Sequence, residues 1–136
     1  MNTALLLGID HVAITVADVA TSHAFYHRLF GTEVINEYAP GGTPAVRVII
    51  VGGLARLSLH QLGNGVGLVA AAPTPGSADI CFRWGGTVQA ALDHLSVHGI
   101  AVVDGPSPRR TVDELPAHSV YFRDPDGNLI ELMAAD

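Results

Sequence analysis

The sequence predicts an α+β fold made of two successive β-α-β-β-β units. Three observations carry that expectation. Apolar residues follow a strand period over many short stretches, and only two stretches follow a helical period. The order strand, helix, strand, strand, strand occurs twice. An offset of 68 residues carries Gly31, the stop of the first helix, onto Gly99, the stop of the second, and His11 onto Asp79. The halves share negligible sequence identity, so the repeat is one of pattern. A single such unit would leave one sheet face uncovered, and pairing two lets the sheets curl about a shared interior.

Ile9 to Val16 is rich in β-branched residues, which favours a strand. Asp18 or Thr21 can cap the helix that follows, with Ala24, Phe25, Leu29 and Phe30 as its apolar stripe. Glu33 to Tyr38 reads as a strand, Pro40-Gly41-Gly42 as a loop, and Val46 to Val51 as a third strand before a Gly52-Gly53 turn. In Leu54 to Gln61, Ala55, Leu57 and Leu59 alternate with Arg56, Ser58 and His60. Gly63 to Gly76 is a Gly-, Ala- and Pro-rich linker or lid. The order then restarts. Ala78 to Trp84 is a strand, and Thr87 to His98 a helix with Val88, Ala91, Leu92 and Leu95 on one face. Ile100 to Asp104 is a strand, and Gly105 to Pro116 a polar loop with three prolines. His118 to Arg123 and Asn128 to Met133 are strands about the turn Asp124-Pro125-Asp126-Gly127.

With 136 residues, 49% of them hydrophobic, one domain with a sizeable core is expected over 1–136. Its first module runs from about 8 to 62, its linker from about 63 to 76 and its second module from about 77 to 133. The formal net charge is −6, and all seven cationic side chains are arginine, which argues against nucleic acid and excludes a Schiff-base lysine. No apolar run approaches the roughly 18 residues that span a bilayer. Ala4 to Leu7 is too short for a secretion signal and follows no basic residue, so a cytoplasmic location and no membrane partner are expected. The lone Cys81 allows no internal disulfide and reads as a small core residue ahead of a nucleophile. Gly63 to Gly67 lacks the Lys-Ser/Thr of a phosphate loop.

The candidates for chemistry are polar residues on apolar strands. His11 and Glu131 interrupt such strands, and a carboxylate buried there needs a cation, a metal or a proton. His60 and Asp79 lie on two further strands. Together the four form an imidazole-plus-carboxylate set suited to Fe, Mn, Co, Ni or Zn. The i,i+4 pairs His23/His27 and His94/His98 read as solvated helix faces, with no Glu-containing zinc motif around them. Arg47, Arg56 and Arg83 alternate with apolar residues, and one facing the interior would meet an anionic substrate.

Four segments carry a family resemblance: Gly8-Ile9-Asp10-His11-Val12, Leu57-Ser58-Leu59-His60-Gln61, Pro75-Gly76-Ser77-Ala78-Asp79-Ile80-Cys81, and Ser119 to Leu132 with its Asp124-Pro125-Asp126-Gly127 turn and Glu131 four residues later. The chain resembles the vicinal oxygen chelate superfamily, which includes glyoxalase I, fosfomycin and bleomycin resistance proteins and extradiol dioxygenases, and its small glyoxalase-domain members above all. The resemblance implies paired βαβββ modules in a U-shaped, incompletely closed mixed β-barrel around a central cavity. It implies one divalent metal held by His11, His60 and Glu131, with Asp79 where metal-binding members place a histidine. Ser58 competes with His60 for its position. Glu131 would serve as base and Tyr121, ten residues before it, as an active-site tyrosine. The function it implies is a metal-dependent dioxygenase, lyase or isomerase acting on a small molecule with vicinal oxygens. The alternative is a metal-free protein that sequesters an antibiotic. A homodimer is expected in either case.

Overall fold

A computed structural model describes residues 5–135, so part of the Ala4–Leu7 run lies outside the described residues. The chain divides into two compact units, one ending at Thr74 and one starting at Pro75. Among the described residues no helix is long and apolar enough to cross a membrane.

The first unit holds β1 (His11–Val16), α1 (Val19–Phe30), β2 (Val34–Tyr38), a 3-10 turn (Pro40–Gly42), β3 (Val46–Ile50) and β4 (Arg56–Gln61). Its sheet runs β1-β4-β3-β2, with β1 parallel to β4 and the other pairs antiparallel. Alternation decides the faces. Ile14, Val16, Ile49, Leu57 and Leu59 are buried on the side where α1 packs. The Asp18 carboxylate accepts from the amides of Ala20 and Thr21 at 2.9 and 3.3 Å and starts the helix. Gly31 ends it in the left-handed conformation at φ +66°, donating to the His27 carbonyl. The buried stripe of α1 is Val19, Ser22, Tyr26 and Leu29, which corrects the expected stripe in all but Leu29. Its spacing of three, four and three is helical, but two members carry hydroxyls and escape an apolar count.

Beside α1, the Arg47 guanidinium donates to Glu37 Oε2 at 3.1 Å and to His23 Nδ1 at 3.2 Å. Burial, then Arg47, holds the His23 imidazole below its ordinary value of 6.5. The unfolded chain therefore binds this proton more readily than the fold does. The penalty opens as pH falls below 6.5, is complete below the lower folded value, and is absent at higher pH. We expect His23→Gln to flatten the acid side of a melting-temperature-against-pH curve and leave the neutral side unchanged. Parallel curves for the two proteins would refute this account.

The second unit holds β5 (Asp79–Trp84), α2 (Val88–Val97), β6 (Asp104–Arg110), β7 (Pro116–Arg123) and β8 (Leu129–Ala134). Its sheet order, β5-β8-β7-β6, repeats that of the first, again with one parallel pair, β5 with β8. Thus the α+β class and the internal repeat hold: two four-stranded mixed sheets and two helices, with neither sheet closed into a barrel. Thr87 caps α2 by accepting from the Ala90 amide. Ala91 and Leu95 are its buried residues, while Val88 and Leu92 are half-buried.

One strand is displaced from expectation. Ile100–Val103 is not a strand, and β6 occupies Asp104–Arg110, inside the expected polar loop. Prolines 106 and 108 are tolerated because β6 is the sheet edge, where an absent N–H leaves no ladder bond unmade. The register slips between Asp104 and Ser107.

The Asp124–Asn128 turn is a buried clamp. Asp124 Oδ1 accepts from the amides of Asp126 and Asn128 at 3.0 and 2.9 Å, and Oδ2 accepts from Asn128 Nδ2 at 2.8 Å. Asn128 Oδ1 in turn accepts from the Ala78 amide at 2.9 Å, tying the β7–β8 turn to the start of β5.

Candidate active site

Each sheet turns one face to its helix and leaves the other to carry polar side chains. In the first unit the register lays that face out in rows. His11 is level with Arg56, Ala13 with Ser58, and Thr15 with His60; across β3, Ser58 meets Val48 and His60 meets Val46. The face forms an open pocket of about 780 Å³, walled by Ile35, Tyr38, Val46 and Val48, with His11, Arg56, Ser58 and His60 on β1 and β4.

His11 Nδ1 bonds Asp10 Oδ1 at 2.8 Å. A carboxylate on one imidazole nitrogen favours a tautomer with the lone pair on the other, the arrangement in which a carboxylate orients a metal-binding histidine. His60 shares the face but lies four residues further along the strands than the partner of His11, a rise of about 13 Å. Burial, then the charge of His11, lowers the His60 pKa. That shift favours the neutral ring, the form that ligates.

In the second unit the corresponding face carries Asp79, Cys81 and Arg83 on β5, with Leu129, Glu131 and Met133 level with them on β8. Tyr121 on β7 flanks Glu131 from the other side. Glu131 is half-buried, and its Oε2 is a buried oxygen with no hydrogen-bond partner. The Cys81 thiol is pushed up to about 11 by burial and by the Glu131 carboxylate, so it stays protonated and is no nucleophile at neutral pH. Cys81 is exposed as a residue, not the core residue expected.

Tyr121 is buried, and burial chiefly raises its pKa. Its oxygen accepts from Arg109 Nε at 2.9 Å, and the guanidinium carbon lies 5.6 Å from the ring centre. With its oxygen accepting from Arg109, the hydroxyl is free to direct its own proton toward Glu131 or a ligand. Arg109 is the functional neighbour that sequence reasoning missed, because it falls in the stretch expected to be loop.

The structure therefore brings Glu131 and Tyr121 together and puts Asp79 on their face, exposed, two residues from the β5 partner of Glu131. It puts His11 and His60 on one face without making them neighbours. The repeat also gives the register counterparts of Ser58 and His60. His11 and Asp79 are equivalent by the 68-residue offset, and two residues beyond their partners, Arg56 and Leu129, lie Ser58 and Glu131. Ser58 is the counterpart of Glu131 and His60 that of Met133. Within neither unit do three His, Cys, Asp or Glu side chains of the described residues gather to hold an ion.

Two βαβββ units, each with polar residues on the helix-free face of its sheet, are the class of fold that the chain presents. The chain belongs to the Glyoxalase/Bleomycin resistance protein/Dioxygenase superfamily, whose family model matches residues 8–132. A virulence protein of Salmonella typhimurium is 35% identical over 124 residues, 91% of this chain and 81% of that protein. A glyoxalase domain-containing protein of Mycosarcoma maydis is 40% identical over 91% of this chain, which spans 66% of that relative's length. An integron cassette protein from Vibrio cholerae superposes with a TM-score of 0.84 at 33% identity, covering 96% of this chain and 97% of that one.

Proposed function

We propose that this chain is a metal-dependent enzyme of the glyoxalase or dioxygenase type, acting on a small molecule with two neighbouring oxygens, as a homodimer. The observation that carries the proposal is Glu131. A buried carboxylate oxygen within no donor's hydrogen-bond distance is costly, and beside the Tyr121 hydroxyl and the Cys81 thiol that neighbour Glu131 a cation is a partner that would satisfy it. Asp79 is a further oxygen donor of the second unit, and in the first unit His11, with one nitrogen held by Asp10, and His60 or Ser58 are donors of the kind such ions take. Fe, Mn, Co, Ni and Zn all suit such donors. A bound divalent ion would supply Lewis acidity to the substrate's oxygens. Glu131 would accept a substrate proton, and Tyr121, oriented by Arg109, would donate a hydrogen bond to developing negative charge.

A second reading has its own support. Asp79 stands exposed at the position where metal-binding relatives are expected to carry histidine, and the first unit already forms a pocket of about 780 Å³ with apolar walls. That arrangement suits a metal-free protein that binds and sequesters a drug-sized molecule. One experiment separates the two. Untagged protein purified without chelator, then offered each of the five metals in turn, is expected to retain about one ion per chain, as a single-metal site requires. Retention of none of them would transfer the assignment to the binding-protein reading.

A further inference from the structure

The pocket of the first unit holds an unexplained charge. Arg56 opens β4 level with His11 and is the one Arg or Lys among the residues that line the pocket. It is half-buried. Its Nη1 donates to the Leu54 carbonyl at 2.9 Å, and no carboxylate of the described residues lies within ion-pair distance of it. Arg47 pairs with Glu37, Arg83 with Asp113 and Arg110 with Glu114, while Arg109 and Arg123, which also lack an ion pair, do not line this pocket. Asp10 also lines the pocket, but its carboxylate is bonded to His11 and lies almost wholly in solvent. A guanidinium has five donors in a planar fork, and one carbonyl uses only one of them. A part-buried cation facing a pocket without a counter-charge favours an anion from solution.

We propose that this pocket takes a small carboxylic acid with an apolar body, and that Arg56 seats the carboxylate. A planar carboxylate matches the fork in a bidentate way, and the side chains of Ile35, Tyr38, Val46 and Val48 accommodate hydrocarbon or an aromatic ring. The proposal rests on the reading of this pocket as a ligand site and adds the ligand's class. It does not need a metal.

The test uses the whole chain, stripped of metal, titrated with benzoate and with benzamide, its neutral isostere, and followed by amide chemical shifts. Benzoate is expected to bind at least about tenfold more tightly, the size of a charge-assisted hydrogen bond. Arg56→Met is expected to bring the two dissociation constants to parity with the amide spectrum otherwise preserved, and Arg56→Lys to restore part of the preference. Equal binding of the two probes by the parent protein, no binding at millimolar concentrations, or a preference that survives in Arg56→Met would each overturn the proposal. The parent comparison stands even where a variant does not fold. A benzoate preference in a protein that retains no metal would sink the enzyme reading alone, and metal retention without the preference would sink this one alone.

Discussion

Replacing Glu131 by glutamine is expected to weaken Mn(II) binding by at least about a hundredfold, the upper end of what even the neighbours of metal ligands contribute. The metal-free protein should be no less stable for the change. Both expectations follow from one atom. Glu131 sits on β8 between buried Ile130 and Leu132, and its Oε2 is buried without a donor. In the absence of a cation that oxygen is a burden to the fold, so a neutral amide of the same shape should leave stability unchanged or raise it by about 1 kcal/mol. With a cation present the same oxygen becomes the strongest ligand the second unit offers. Opposite signs for affinity and stability are the signature of a residue kept for function. Titration of Mn(II) by electron paramagnetic resonance gives the first quantity and urea unfolding of the stripped protein the second. A variant that binds Mn(II) as tightly as the parent would remove Glu131 from the metal. A variant that loses stability would make the residue structural.

The repeat and the candidates Glu131 and His11 were legible because both rest on alternation. An ionisable residue in an apolar strand stands out wherever the strand ends up. Leu57 and Leu59 face the core as their period requires, and Asp18 starts α1 as its chemistry requires. What failed was whatever depended on a partner. Prolines 106 and 108 argue against a strand until the sheet order shows β6 to be the edge. Ser22 and Tyr26 look polar until α1 is laid on its sheet.

The choice between His60 and Ser58 could not be made by counting from glycines. Glu131 comes four residues after Gly127, whereas its counterpart Ser58 comes five after Gly53, because both last hairpins close with five-residue turns but the glycine is third in one and fourth in the other. Arg109 could not be matched to Tyr121 at all, since β6 falls in a stretch that reads as loop and Arg109, level with Ala117, reaches Tyr121 four residues along β7. Local chemistry is written in the chain, and register is written in the turns and in pairs far apart in sequence.

Asp124→Ala is expected to cost about 3–5 kcal/mol, as for a buried charged group whose partners are left behind. At this chain length that is a fall of about 10 °C or more in melting temperature. The Asp-Pro-Asp-Gly-Asn run is the most specific feature of the family resemblance, and such a feature invites a catalytic reading. Its side chains argue otherwise. Asp124 is buried, and its two oxygens take up the amides of Asp126 and Asn128 and the Asn128 side chain. Asn128, buried in turn, passes the connection to the Ala78 amide at the head of β5. The turn thus aligns β5 with β8, and that pairing sets Cys81 level with Glu131 and Asp79 level with Leu129. Removing the carboxylate orphans an amide side chain and two backbone N–H groups at once. Asn128→Ala breaks the same chain of bonds one link later, so the double variant should be less destabilised than the two singles summed. Asp124→Asn should recover only part of the loss, because its amide would set a donor against the donor Asn128 Nδ2. Thermal unfolding of the four proteins decides the matter. A full-strength fold in Asp124→Ala with metal or ligand binding abolished would return the turn to the site and leave the hairpin without its clamp.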